Sequence, residues 1–232
     1  MYLLKLTGEI LTENGNPFSV NAANFIAEEI ASVVMDSAIR LAIVIGGGNI
    51  LRGEELERKG FDRRIADHIG MLATVQNALF LEQTLKQKGV EARSMTAIEV
   101  KQVAEPYILK RVLRHLDKGR VVVLAGGVGR TGVSTDFAAA QAAWELGAAA
   151  ILKGTKVEGI FDKDPKKHAD AKFIPEISYD DVIAQRLKVM DDAAFSYARD
   201  KFKKPTYVFN IFEKGNLRRV VHGEKVGSVI HP

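Results

Sequence analysis

Leu41-Ala-Ile-Val-Ile-Gly-Gly-Gly-Asn49 is an apolar run that stops abruptly in three glycines. A short, continuous apolar run reads as a buried strand. Glycines at its end remove every Cβ where the chain turns, so backbone N–H groups can close on a ligand, and such turns commonly cradle phosphate. The same device returns at Leu3-Leu-Lys-Leu-Thr-Gly8 and in the glycine cluster that follows Val121–Ala125. Its recurrence makes a phosphate-handling enzyme the first expectation.

Working outward, strand-like runs fall at Tyr2–Leu6, Leu41–Ile45, Val90–Ser94, Val121–Ala125, Ala149–Lys153 and Thr206–Asn210. Helical patterns separate most of them. Asn21–Asp36 sets Phe25, Ile26, Ile30, Val33 and Val34 at the spacing of a helix face, and Phe61–Lys86 sets Phe61, Ile65, Ile69, Leu72 and Leu79 on one stripe. Thr135–Leu146 and Asp191–Lys203 are further candidates. Strands alternating with helices predict an α/β fold, a mainly parallel sheet with helices on both faces. The stretch from Gly154 to Pro175 breaks this rhythm and reads as a long functional loop. No repeat or linker divides the chain, so 1–232 reads as one domain with a functional division near Gly126.

A chain of 232 residues, 47% hydrophobic and 27% charged, can bury a full core. It has no Cys, which excludes disulfides, Cys-ligated zinc and thiol catalysis and fits a reducing, cytoplasmic setting. The five His (His68, His115, His168, His222 and His231) lack paired ligand spacing, so no protein-held metal site is expected. Apolar segments are far shorter than a membrane span, and no targeting segment is visible. The net charge of +4 suits anionic small molecules, while the dispersed basic residues, paired at Arg63-Arg64, Lys166-Lys167 and Arg218-Arg219, argue against nucleic acid as a partner.

Several residues carry the chemistry. Burying the Lys5 ammonium in an apolar strand is costly unless an anion meets it, so Lys5 is expected at a phosphate cleft, the alternative being a half-exposed edge strand. Gly46, Gly47, Gly48, Asn49 and Arg52 would admit and fork phosphate oxygens; a tight turn is the alternative. In the Phe61 helix, His68 falls on the apolar stripe and reads as a packed histidine, while Asp67 on its flank can face a cleft and grip ribose hydroxyls, or be a solvated surface acid. Gly127, Gly129 and Gly132 form a GxGxxG between strand and helix, yet no acid for a ribose stands at the end of the next strand; Val133 stands where a P-loop needs Lys. An anion loop remains, with Asp136 opening a helix where it would cap. In the segment after Ala149–Lys153, Lys153 and Lys156 could neutralise phosphate, Phe161 could pack on a base and Asp164 could hold ribose; a solvated charged loop is the alternative.

Together these pieces resemble the amino-acid-kinase superfamily and, within it, the bacterial uridylate (UMP) kinases. The likeness runs nearly end to end: Leu-Leu-Lys5-Leu-Thr-Gly-Glu, Val-Ile-Gly-Gly-Gly-Asn49, Leu-Arg52-Gly, Asp67-His-Ile-Gly-Met-Leu-Ala-Thr74, Thr135-Asp136, Lys-Gly-Thr155-Lys-Val-Glu-Gly-Ile-Phe161, Asp164-Pro, Leu-Lys188-Val-Met-Asp191 and Leu217-Arg-Arg-Val-Val. The resemblance implies a three-layer α/β/α sandwich, with an acceptor-binding part near 1–125 and an ATP-binding part near 126–232. It implies transfer of the ATP γ-phosphoryl to UMP in pyrimidine nucleotide synthesis, with Mg²⁺ arriving with ATP. Lys5, Arg52 and Asp136 would be catalytic, Asp136 organising the lysines. ATP would meet Lys5, Leu6, Thr7, Gly8, Gly48 and Arg52, and its nucleoside Thr155, Phe161 and Asp164. UMP would meet Gly47, Asp67 and a loop running from Val128 through Gly129, Arg130, Thr131, Gly132, Val133 and Ser134 to Thr135. Family members are typically homohexamers activated by GTP and inhibited by UTP, and the GTP region corresponds to Thr12, Glu13, Asn14, Gly15, Asn16, Pro17 and Phe18. Two positions depart from the family: Thr7 replaces Ser, and the acceptor loop Gly-Val-Gly-Arg-Thr-Gly-Val-Ser-Thr loses an aromatic pair and gains Arg130. Rival readings are a kinase for another small anion, a nucleotide-sensing regulator without catalysis, and an NAD-dependent oxidoreductase, which fails at the missing acid.

Overall fold

The structure, a computed structural model of the chain, describes residues 1–35, 39–165 and 167–232. Its nineteen named helices and strands run β1 (Tyr2–Leu6), α1 (Val20–Val34), β2 (Leu41–Ile45), α2 (Gly53–Arg58), α3 (Arg63–Gln87), β3 (Ala92–Thr96), β4 (Glu105–Pro106), α4 (Leu109–Asp117) and β5 (Val121–Ala125). There follow α5 (Thr135–Glu145), β6 (Ile151–Thr155), β7 (Ile160–Phe161), β8 (Phe173–Ile174), β9 (Glu176–Ser178), α6 (Tyr179–Ala184), α7 (Asp192–Tyr197), β10 (Thr206–Asn210), α8 (Asn216–Val221) and β11 (Ser228–His231).

One sheet orders the strands β4-β3-β5-β2-β1-β6-β10-β11-β9, and every neighbouring pair is parallel except β10 with β11. Both faces are covered, which is why the central strands are apolar throughout rather than alternating with polar residues. Alternation instead divides them between two cores. Leu3, Ala42, Val44, Val122, Leu124 and Ile151 face α4, α5, α6 and α7. Leu4, Leu6, Ile43, Ile45, Val123 and Leu152 face α1, α3 and α8. The result is the expected α/β/α sandwich. Strand β1 lies inside the sheet, so the edge-strand alternative for Lys5 does not hold.

Strands β1, β2, β5 and β10 match their expected bounds, whereas β3 and β6 begin two residues late. Apolar burial starts before the ladder in both. Val90 is buried where its N–H closes α3 on Leu85 O (3.0 Å), and Ala150 is buried one residue ahead of β6. The helix expected over 21–36 is α1; Asp36 lies outside the described residues, as does Lys166. The helix expected over 191–203 is α7 continued by a π-helical turn, Ala198–Phe202, that ends at Lys203 in the left-handed region (φ 53°). Within the expected loop, β7 and β8 form a separate antiparallel ribbon.

Of the apolar stripe expected to bury α3, Leu79 packs half-buried on the core, but the other four residues do not. Phe61, Ile65, Ile69 and Leu72 are exposed, while Ala66, Ala73, Ala78, Leu81 and Leu85 point inward. The physical reason is close approach: a Cβ on Gly47 would stand 2.9 Å from Ala73 Cβ and 2.9 Å from Gly70 O, so α3 packs on the glycine turn through small residues. His68, expected to be packed, is exposed for the same reason.

Candidate active site

The site begins with a register. In the parallel pairing of β1 and β6, Lys5 stands directly beside Lys153, both on the sheet face beneath α5. Like charges at adjacent positions repel, and these are only 3% and 5% exposed. The arrangement is tolerable only with an anion between them. Asp136 supplies it: Oδ1 lies 2.9 Å from Lys5 Nζ and Oδ2 2.7 Å from Lys153 Nζ.

Helix α5 can deliver this carboxylate because its inner face is alanine. Ala138, Ala139, Ala140, Ala142 and Ala143 let the backbone approach the sheet closely. Asp136 therefore does not cap α5; Ser134 does, its Oγ accepting from Asp136 N (3.1 Å) and Phe137 N (3.0 Å). Ser134 Oγ also donates to Asp191 Oδ2, and Asp191 Oδ1 caps α7 through Ala194 N (2.9 Å). The two helix starts are thus tied together beside the triad.

Burial alone would raise the Asp136 pKa, but the charges of Lys5 and then Lys153 outweigh it and hold the carboxyl at about 2. Burial pulls Lys153 down to about 8, against the opposing pull of Asp136 and with the help of the Lys5 charge. The cluster is a carboxylate locked in its charged form with two ammonium groups, one of them easily deprotonated.

Two clefts open at the carboxyl ends of the strands, where open α/β sheets bind ligands. A cleft of about 740 Å³ is lined by Lys5, Gly8, Gly46, Gly47, Gly48, Arg52, Asp67 and Gly132 to Asp136. A second, of about 690 Å³, is lined by Lys153, Thr155, Ile160, Phe161, Asp164, Leu187 and Lys188. They meet at Thr7 and Asp136, which line both. A smaller recess of about 140 Å³ extends the first cleft away from the triad, past Gly47, Gly70, Thr74, Gly127, Arg130 and Thr135.

Most of the sequence-predicted residues converge here. Lys5, Thr7, Gly8, Gly48 and Arg52 gather in the first cleft with Gly47, Asp67, Gly132, Val133, Ser134 and Thr135, and Arg130 joins in the recess. Thr155, Phe161 and Asp164 share the second. Leu6 is buried in the core. Val128 packs on the α5 core, and a Cβ on Gly129 would stand 2.9 Å from Ala97 O, so both support the loop from behind; Thr131 sits half-buried between Arg130 and Gly132. Asp67 borders the cleft with both oxygens engaged, by Arg63 Nε (2.9 Å) and Gly132 N (2.6 Å). Residues 12–18 line neither cleft.

The three glycines divide their labour. Gly47 is required by α3, Gly46 is bonded through its N–H to Leu6 O (2.9 Å), and a Cβ on Gly48 would make only ordinary contact with the Arg52 side chain (3.9 Å). Sequence reading undervalued Lys153, whose partnership with Lys5 is visible only in the strand register, and Asp191. It missed Glu9, which pairs with Arg52 across the first cleft, and Asn77, which holds Gly46 O (2.7 Å).

A profile of the amino acid kinase family matches residues 1–210. A relative described as uridylate kinase, from Xanthomonas euvesicatoria pv. vesicatoria (strain 85-10), is 45% identical over 229 residues, covering 98% of this chain and 95% of that one. Among solved structures, a UMP kinase from Bacillus anthracis superposes with a TM-score of 0.94 at 44% identity, covering 99% of this chain and 95% of that one. A UMP kinase from Ureaplasma parvum gives 0.90 at 30% identity, covering 100% and 98%.

Proposed function

The chain belongs to the amino acid kinase family, and from that premise we propose that it transfers the γ-phosphoryl group of ATP to UMP, giving ADP and UDP. One observation carries the reading: two clefts meet at a buried Lys–Asp–Lys cluster. Such a junction suits direct transfer between two bound nucleotides, because phosphoryl transfer needs positioning and charge neutralisation more than covalent help. ATP occupies the second cleft, its base near Phe161 and its ribose near Asp164. UMP occupies the first, its base in the small recess, which suits a single ring.

Lys5 and Lys153 neutralise the charge on the phosphoryl group in flight, Asp136 holds them in place, and Arg52 swings from Glu9 to the acceptor phosphate. The N–H groups of the glycine turns meet the phosphate oxygens. No protein nucleophile takes part. Asp136 is committed to two lysines, and among the described residues no group of three His, Cys, Asp or Glu could hold an ion. The donor set fits Mg²⁺ carried in on ATP: Asp191 lines the first cleft and, although Ser134 Oγ and Ala194 N each hold one of its oxygens, its remaining lone pairs could join the metal's shell; the metal would add charge neutralisation between the nucleotides.

The exposed stripe of Phe61, Ile65, Ile69 and Leu72 supports assembly with further copies, which we read as a homohexamer. Activation by GTP, inhibition by UTP, a place in pyrimidine nucleotide synthesis and a cytoplasmic setting complete the proposal, on the strength of the family resemblance. Among the described residues no helix is long and apolar enough to cross a membrane. An ADP-release assay over UMP, CMP, dUMP and non-nucleotide acceptors, with and without GTP, tests it: UMP is expected to be the best acceptor, and an acylamino acid or carbamate outperforming it would overturn the assignment.

A further inference from the structure

Between the glycine turns after β1 and β2 lies a pair of carboxamides that the proposed transfer does not use. Asn77, wholly buried (0% exposed) within α3, donates to Gly46 O (2.7 Å) and to Asn49 Oδ1 (2.7 Å). Asn49 donates back to Asn77 Oδ1 (3.1 Å) and to Pro17 O (2.8 Å). All four amide hydrogens therefore have acceptors, and each side chain has one orientation that satisfies them. The pair also determines its surroundings. A Cβ on Gly8 would collide with Asn49 Oδ1 and stand 2.7 Å from Gly46 O and 2.8 Å from Asn77 Nδ2, so that glycine makes room both for the pair and for the carbonyl it holds.

The consequence for the site follows from peptide geometry. In a trans peptide the carbonyl and the following N–H point to opposite sides, and no described peptide here is cis. With the Gly46 carbonyl held by Asn77, the Gly47 N–H faces away from Asn77, and Gly47 itself lines the first cleft. The N–H groups of Gly47 and Gly48 have no backbone or side-chain acceptor among the described residues, which leaves them available to an anion. A peptide between two glycines flips at little steric cost. Flipped, it would present a carbonyl oxygen to the phosphate.

We propose that Asn49 and Asn77 are positioning residues: they lock the Gly46–Gly47 peptide with its N–H aimed at the acceptor phosphate. Through Pro17 O they also make that geometry conditional on the loop of residues 12–18. The inference rests on the reading of the first cleft as the UMP site. Asn77→Asp keeps the shape but removes both donors, and Asn49→Ala removes one acceptor and the tether to Pro17.

Isothermal titration with UMP and with uridine separates phosphate recognition from general damage, alongside kcat, KM and melting temperature. Asn77→Asp is expected to weaken UMP by about 10-fold or more, leave uridine within about twofold, and lower kcat by about 100-fold. Asn49→Ala moves in the same direction by less, and carries the test if Asn77→Asp fails to fold. Because the pair acts as one unit, Asn49→Ala with Asn77→Ala together costs no more than Asn77→Ala alone, within about twofold. Equal weakening of UMP and uridine, unchanged UMP binding, or full additivity overturns the proposal. The binding comparison is read whether or not turnover is seen; a wild-type protein that makes no UDP contradicts the assigned reaction instead.

Discussion

Replacing Asp136 by Asn preserves shape and removes the one charge that reconciles two buried lysines. The ammonium groups at 2.9 and 2.7 Å then face each other with no counter-charge. The carboxyl is held at about 2 against an ordinary 3.8, which corresponds to a contribution on the order of 2 kcal/mol. That contribution is present above pH 3.8 and is lost as pH falls through about 2. Breaking a buried ion pair from one side costs more, about 3–5 kcal/mol, because the remaining charge stays desolvated. The larger figure applies here, since two ammonium groups rather than one are stranded. Lys153, already pulled to about 8 by burial, loses the partner that opposes that pull, so it sheds its proton at lower pH. The destabilisation should therefore be about 3 kcal/mol near pH 7 and smaller at pH 9. Sulfate should restore part of it, by supplying an anion at the same place. Turnover should fall by about 1,000-fold, as for lost electrostatic preorganisation. Urea unfolding at both pH values, with and without sulfate, and an ADP-release assay measure all of this. A loss below about 0.5 kcal/mol, or turnover close to wild type, refutes the reasoning.

Three further outcomes are expected. With the free enzyme's Lys153 titrating at about 8, kcat/KM should fall roughly tenfold per pH unit above that value. The stability term has the opposite sign: between about 8 and 10.5 the unfolded chain holds a proton that the native Lys153 has released, so this group's contribution to stability rises with pH there, as urea midpoints will register. Arg130 is exposed, lines the small recess and has no ion-pair partner among the described residues; Arg130→Ala should raise KM for UMP about tenfold and leave KM for ATP unchanged, in initial-rate measurements with each substrate varied. Replacing Ile65 and Ile69 together by Glu should reduce the assembly's mass in light scattering, because charge is placed on the exposed apolar stripe.

Much of this molecule is legible in its sequence where one physical requirement dominates. Leu41–Ile45 and Val121–Ala125 are buried on both faces, so their apolar runs and their ladders coincide. Val90 and Ala150 are buried ahead of β3 and β6, so apolar character alone puts both strand starts two residues early. In α3 the spacing of large apolar residues marks a face but does not say whether that face meets the protein's own sheet or another molecule. The inner face is chosen instead by small residues that fit Gly47, a contact between segments distant in sequence. The site shows the same division. Lys5 and Arg52 stand out as a costly and a forked charge beside glycines, whereas the family resemblance alone marks Asp136 as catalytic. Lys153 gains its meaning only from the register that sets it beside Lys5, and Asn77 only from a carbonyl thirty-one positions away. Asp136 looked like a helix cap because its position allows one, and Ser134, two residues earlier, takes that role.

The central claim is that phosphoryl transfer occurs at the Lys5–Asp136–Lys153 junction of the two clefts. Its most direct test is UDP formation from ATP and UMP by wild type and by Lys5→Ala, with UMP binding measured in parallel. The account predicts UDP from the wild type and a loss of turnover of about 1,000-fold or more in the variant, with UMP affinity largely retained. A Lys5→Ala protein that makes UDP at near-normal rates would contradict it.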